Sequence, residues 1–136
     1  MLLLLPSALD SRTSRRSGLT FFEYQILATL SESVDRTRPM ASLAQATSSS
    51  LSRLSHAVAR LEAKDLVTRR RCGGVGRSSV AILTAKGYRR LVASAPDQVE
   101  SVRSLVIDVL TREQLGALRT IATRIVERLD DDAAKL

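Results

Sequence analysis

The stretch Ser48-Ser49-Ser50-Leu51-Ser52-Arg53-Leu54-Ser55-His56-Ala57-Val58-Ala59-Arg60-Leu61-Glu62-Ala63-Lys64-Asp65-Leu66 decides the fold. Leu51, Leu54, Val58 and Leu61 recur at i, i+3, i+7 and i+10, which predicts a helix with one apolar stripe turned inward. Ser52, Arg53, Ser55, His56, Ala59 and Arg60 lie off that stripe, so the other face is short, polar and basic. The serines ahead of Leu51 suit an N-cap. Lys64-Asp65 closes the helix, because aspartate is one of the few non-glycine residues that tolerates the left-handed conformation.

Working upstream, Met40 to Ala46 reads as a short helix with Leu43 inward, and Arg36 to Pro39 as a loop or short strand. Thr20-Phe21-Phe22-Glu23 has the form of a capping box, flanked by Leu19 and Tyr24 as a hydrophobic staple. It opens a helix over about 21–32 with Ile26, Leu27 and Leu30 inward. Residues 2–16 predict a short amphipathic helix that ends at Gly18, with Pro6 near its first turn.

Downstream, Leu66 to Arg71 and Ser78 to Leu83 read as two strands joined at the tip Gly73-Gly74-Val75-Gly76. Thr84 caps a helix from 85 that places Val92 on its core face, and Ala95-Pro96 is expected to kink or split it. The apolar set Val99, Val102, Leu105, Val106, Val109 and Leu110 continues it. Thr111-Arg112-Glu113-Gln114 is a second capping box, ahead of a last helix carrying Leu115, Leu118, Ile121, Ala122, Ile125 and Leu129. The fold class this predicts is mainly α, a winged helix-turn-helix with a small two- to three-stranded wing. The whole of 1–136 is read as one domain, with 19–96 as the winged-helix part and 1–18 and 97–136 as terminal helices.

Composition agrees. The chain has 136 residues, 44% of them apolar but only 3% aromatic and none Trp, so its core must be built from Leu, Val, Ile and Ala. The net charge of +7 is concentrated: residues 53–90 hold ten Lys/Arg against two Asp/Glu, a net of +8, and the remainder is close to neutral. A basic segment on a neutral body is the footprint of a polyanion binder; the alternative is a solvated, arginine-rich surface. The single cysteine, Cys72, excludes an internal disulfide and fits a cytoplasmic protein. The apolar run Met1 to Leu5 stops at Pro6, well short of the roughly 18 residues of a membrane span. One His and one Cys, with no zinc-ligand spacing and no phosphate loop around Gly73 to Gly76, indicate neither an enzyme nor a cofactor or metal site.

A polar-faced helix after a short helix and a tight turn, followed by a basic hairpin, is suited to double-stranded DNA. Ser48, Ser49 and Ser50 stand where free amides and hydroxyls hold a phosphate. Ser52, Arg53 and His56 face outward, with Arg53 and His56 one turn apart and able to reach base edges. Arg60, Arg69, Arg70 and Arg71 are read as phosphate contacts or as plain solubility, and Arg77 as a minor-groove contact from the wing. Cys72, beside three arginines, raises the alternative of a redox-sensitive thiol, though the chain offers no resolving partner.

The ordered set Leu19-Thr20-Phe21-Phe22-Glu23-Tyr24-Gln25-Ile26-Leu27, Met40-Ala41-Ser42-Leu43-Ala44, Arg60-Leu61-Glu62-Ala63-Lys64-Asp65-Leu66-Val67 and Arg77 through Leu83-Thr84-Ala85-Lys86-Gly87 resembles the MarR family of bacterial regulators. The resemblance implies a homodimeric repressor whose subunits meet through their first and last helices, here Leu2, Leu5, Leu115, Leu118, Ile121, Ile125 and Leu129. It implies a pseudo-palindromic operator and release by a small lipophilic or phenolic effector. Two departures stand out. The family's first helix is usually longer than the 18 residues ahead of Leu19 allow, so either the dimer contact is reduced or the start was assigned late. The wing also lacks the Asp that commonly precedes the arginine matched by Arg77, which leaves that arginine without a local partner. The alternatives are a ligand-independent architectural nucleic-acid binder and a winged-helix protein–protein module.

Overall fold

The computed structural model describes residues 3–73 and 78–135. Leu2, Arg77 and the hairpin-tip residues Gly74, Val75 and Gly76 lie outside the described residues.

Among the described residues, six helices and three short strands follow one another in chain order. They are α1 (Leu4–Ser17), α2 (Phe21–Ser31), β1 (Thr37–Pro39), α3 (Met40–Ala46), α4 (Leu51–Ala63), β2 (Val67–Arg71), β3 (Ser79–Leu83), α5 (Ala85–Val102) and α6 (Arg112–Ala133). A turn of 3-10 helix at Val34–Arg36 precedes β1, and a π-helical turn at Arg103–Ile107 follows α5. The strands form one antiparallel sheet in the order β1-β3-β2, with Val67 opposite Leu83 and Thr37 opposite Ile82. Pro39 is accommodated because β1 is an edge strand, where a missing amide breaks no ladder. This is the winged-helix architecture that the pattern predicts, with the Arg36–Pro39 segment supplying the third strand.

The residues fall into two compact units, one ending at Ser101 and one beginning at Val102. In the first, Leu19, Ile26, Leu27, Leu30, Leu43, Leu54, Val58 and Leu61 are fully shielded from solvent and form a single core with Phe22, Leu66, Val67 and Leu83. Burial of each such side chain is worth about 1.5–3 kcal/mol, so the aliphatic interior holds the helices without much aromatic mass.

The helix ends are set locally. Thr20 Oγ1 accepts from the Glu23 amide at 3.0 Å and Glu23 Oε2 accepts from the Thr20 amide at 3.3 Å, completing the capping box. Ser48 (φ 51°) and Asp65 (φ 59°) take the left-handed position after α3 and α4. At each, two amides turn back on the helix: Ser49 to the Ala44 carbonyl and Ser48 to that of Gln45, then Leu66 to Leu61 and Asp65 to Glu62. These paired bonds form a Schellman closure at the C-terminus of each helix of the helix-turn-helix.

Four expectations need correction. Leu51 is 54% exposed, not inward, and Ala57 is buried instead. At about 100° per residue, the buried arc runs from Ala57 to Val58, and Leu51 falls just outside it. Val92 is 57% exposed; the buried side of α5 carries Gly87, Leu91, Ser94, Gln98 and Ser101, a largely small and polar seam that apolar periodicity does not detect. Pro96 does not split the helix, which runs unbroken to Val102. The carbonyl that Pro96 leaves without a donor belongs to Val92, on the solvent side, where water can serve it. Val99 and Val109, expected to continue the apolar set, are exposed.

In the second unit, Thr111 and Gln114 exchange side-chain-to-backbone bonds at 3.1 and 2.9 Å and cap α6. No residue of α6 is buried, and Leu118, Ile121, Ile125 and Leu129 lie exposed along it. No helix among the described residues is long and apolar enough to cross a membrane.

The start of α5 is fixed to the end of α4. Thr84 Oγ1 accepts from the Gly87 amide at 2.9 Å and lies 2.7 Å from the Asp65 carbonyl, to which it donates. A Cβ at position 87 would overlap the Leu66 carbonyl oxygen and crowd the Leu83 side chain. Gly87→Ala is therefore expected to destabilise the protein by about 1–3 kcal/mol through overpacking against backbone. Urea unfolding of the two proteins measures this; an unchanged midpoint would contradict the close approach.

Candidate nucleic-acid interface

The candidate site begins at the N-terminus of α4. Ser50 caps it, its Oγ accepting from the Arg53 amide at 3.1 Å. The hydroxyl hydrogen of Ser50 is left to donate outward. The neighbouring serines do different work. Ser48 supplies the left-handed turn, and Ser49 Oγ pairs with Thr47 Oγ1 at 3.2 Å. Ser52, Arg53 and His56 are exposed, on the side of α4 away from Leu54, Ala57, Val58 and Leu61.

Three of the predicted basic residues are engaged with acids. The Arg53 guanidinium lies 4.0 Å above the centre of the Phe22 ring, with Nη2 3.9 Å from Asp10 Oδ2. It leans toward α1 and α2 instead of standing free from the helix. Arg60 donates from Nε to Glu23 Oε1 at 3.0 Å, so only its remaining nitrogens can turn to a phosphate. Arg69, read as a phosphate contact or solubility, is a strut. Its Nε and Nη2 reach Glu62 Oε1 at 3.1 and 2.9 Å, and Nη1 donates to Ser55 Oγ at 3.1 Å, tying β2 to α4. The signal for this role was Glu62, one of the two acids in the basic segment.

Arg70 and Arg71 are exposed and make no ion pair with the described residues. Alternation along β2 sends them to opposite faces, with Arg71 on the side of Arg69 and hence of α4. Arg71 is thus the better placed to extend the surface of α4, while Arg70 points to the other side of the wing. Cys72 is exposed at the base of the hairpin, its amide bonded to the Ser78 carbonyl at 3.1 Å.

This geometry matches known proteins. Residues 17–78 match the model of the MarR family. Sco3205 of Streptomyces coelicolor, a MarR family transcriptional regulator solved in complex with DNA, is 41% identical over 94% of this chain and 80% of its own, with a TM-score of 0.81. The chain belongs to the MarR family. AbsC, a MarR family transcriptional regulator from the same organism, is 38% identical over 96% of this chain and 87% of its own, with a TM-score of 0.78. NadR, solved in complex with 4-hydroxyphenylacetate, shares the fold at 22% identity, covering 91% of this chain and 88% of its own with a TM-score of 0.60. No curated protein matches the chain. This MarR protein is accordingly a winged-helix DNA-binding transcription regulator.

What holds α4 against α2 is a buried carboxylate. Glu23 is 2% exposed, and besides the Thr20 amide it faces Arg60 at 3.0 Å and Lys64 Nζ at 3.6 Å. Lys64 also donates to the Gly18 carbonyl at 3.1 Å. One acid therefore closes the N-terminus of α2 and clamps the C-terminal half of α4 to it. The cations are themselves about half exposed, so removing the charge leaves them hydrated. Glu23→Gln, which keeps the cap, is expected to lower stability by about 1–2 kcal/mol, and Glu23→Ala by more. Chemical unfolding checks the order; equal effects would mean that the cap contributes nothing beyond the clamp, and an unchanged Glu23→Gln that the clamp contributes nothing.

Proposed function

We propose that this MarR protein is a homodimeric, cytoplasmic repressor that acts by binding and not by catalysis. It grips a pseudo-palindromic operator with α4 and the wing and leaves it when a small lipophilic or phenolic ligand binds. The observation that carries the DNA reading is the exposed Ser52, Arg53 and His56 face on a helix whose opposite side is sealed in the core. Such a helix can offer donors to base edges without moving. Ser50 and the α4 amides hold the phosphate at its start, and Arg71 and Arg77 extend the contact along the wing.

The dimer is supported by the apolar stripe of α6, where Leu118, Ile121, Ile125 and Leu129 are exposed. Leu115 and Leu5 are half-buried and border the same assignment; Leu2 is assigned from the sequence. A two-fold dimer would present two α4 helices about 34–36 Å apart, one helical turn of duplex. The ligand is supported by an open cleft of about 270 Å³ whose apolar wall is Leu5, Leu9, Phe21 and Phe22, with the Asp10–Arg53 pair at its polar side.

Selection of duplexes from a random pool, followed by titration of selected against random sequence, tests the function. Wild type is expected to prefer the selected duplex by at least about 10³-fold; a ratio near one would instead mark an architectural binder. Arg53→Ala should reduce affinity by about 1–3 kcal/mol and relax preference at one base pair per half-site, and Arg77→Ala should flatten the salt slope by about one unit. An Arg53→Ala protein with unaltered preference would remove that residue from the site.

Ile121→Glu with Ile125→Glu is expected to convert the dimer to a monomer. Sedimentation equilibrium at micromolar concentration measures it, and an unshifted mass would place the interface elsewhere.

A further inference from the structure

Asp10 belongs to α1 and is not part of the assigned DNA surface, yet its carboxylate meets that surface. Oδ1 accepts from the Phe22 amide at 3.0 Å, in the first turn of α2. Oδ2 faces Arg53 Nη2 at 3.9 Å, while the Phe22 ring lies under the same guanidinium. Three elements thus converge on one arginine of the recognition helix, and the acid comes from the terminal helix assigned to the dimer.

The contact is built to be reversible. The side chains are 53% exposed for Arg53 and 30% for Asp10, and an ion pair in that setting holds weakly. Arg53 also borders the open cleft between α1 and α2, so its side chain can swing without displacing packed atoms. Against it competes a charge-assisted bond to a base edge or phosphate oxygen, which is stronger and better directed. Asp10 by contrast cannot move with Arg53, because its other oxygen is committed to the Phe22 amide.

We propose that Asp10 is a positioning residue for Arg53: it holds the guanidinium back against Phe22, away from the groove, and so sets how readily Arg53 takes part in DNA recognition. This rests on the reading of α4 as the recognition helix. Arg53 engages the operator only by leaving Asp10, and any shift of α1 that moves Asp10 alters the affinity of α4. The first helix thereby gains a direct electrostatic line to the DNA surface.

The experiment is a double-mutant cycle on the full chain with the selected duplex at fixed salt. Asp10→Asn keeps an oxygen for the Phe22 amide and removes the charge; Asp10→Ser offers a second acceptor should the first variant misfold, and thermal melts identify folded proteins. Each is combined with Arg53→Ala. Asp10→Asn alone is expected to tighten binding about two- to fivefold and to sharpen the base preference at the position read by Arg53. In the Arg53→Ala background both effects should vanish. In the free protein, the Arg53 Nε–H resonance should shift in Asp10→Asn, reporting release from the acid and movement over the ring. Equal tightening with and without Arg53 would mean that Asp10 only repels phosphate, and would overturn the proposal while leaving the DNA function intact. So would unchanged or weakened binding by both Asp10 variants. A wild-type protein that binds no duplex at low ionic strength would remove this inference and the proposed function together.

Discussion

The N-terminus of α2 is the point on which the helix-turn-helix of this MarR protein depends. A helix start leaves amides without partners and carries a partial positive charge. Here two carboxylates answer it. Glu23 accepts from the Thr20 amide with one oxygen and from Arg60 with the other. Asp10 accepts from the Phe22 amide with one oxygen and faces Arg53 with the other. Each acid therefore does two jobs, closing α2 and engaging a cation of α4, and the two cations lie about two helical turns apart. The placement of α4 against α2 is thus specified by polar contacts at the surface as well as by the apolar contacts of Leu54, Val58 and Leu61 beneath.

That double attachment explains how so small a unit keeps α4 rigid with few aromatic residues. Both helices of the helix-turn-helix, α3 and α4, stop in Schellman closures, so they have defined lengths. Arg69 braces the outer side of α4 to the sheet through Glu62 and Ser55, and Thr84 joins the end of α4 to the start of α5. The basic segment is consequently less free than its charge suggests: Arg60, Lys64 and Arg69 are each held by an acid, whereas Arg70 and Arg71 make no ion pair with the described residues.

The terminal helices follow another logic. α5 buries a seam of Gly87, Leu91, Ser94, Gln98 and Ser101, where small polar side chains permit close packing, and α1 is joined to it by Arg16 to Asp97 at 3.3 Å and by Arg90 to the Ser17 carbonyl. α6 buries nothing of its own. Its apolar stripe of Leu118, Ile121, Ile125 and Leu129 lies exposed along a regular, well-capped helix.

Local chemistry made much of this legible beforehand. The capping boxes at Thr20 and Thr111, the closure at Asp65, the short helix from Met40 and the two strands after Leu66 depend on neighbours a few residues apart, and such signals survive in one dimension. The exposed polar face of α4 was equally readable, since a helix period of about 3.6 assigns its faces. What required the tertiary structure were contacts between residues far apart in the chain: Arg53 on Phe22 and Asp10, Arg60 on Glu23, Arg69 on Glu62 and Ser55. The inward reading of Leu51 and Val92 failed for a related reason, since periodicity locates an apolar stripe but not its edge, nor a buried face that happens to be polar. Sequence thus determined which elements form and which way they turn; only folding decided which charges neutralise one another, because Coulomb attraction follows distance in space and not separation along the chain.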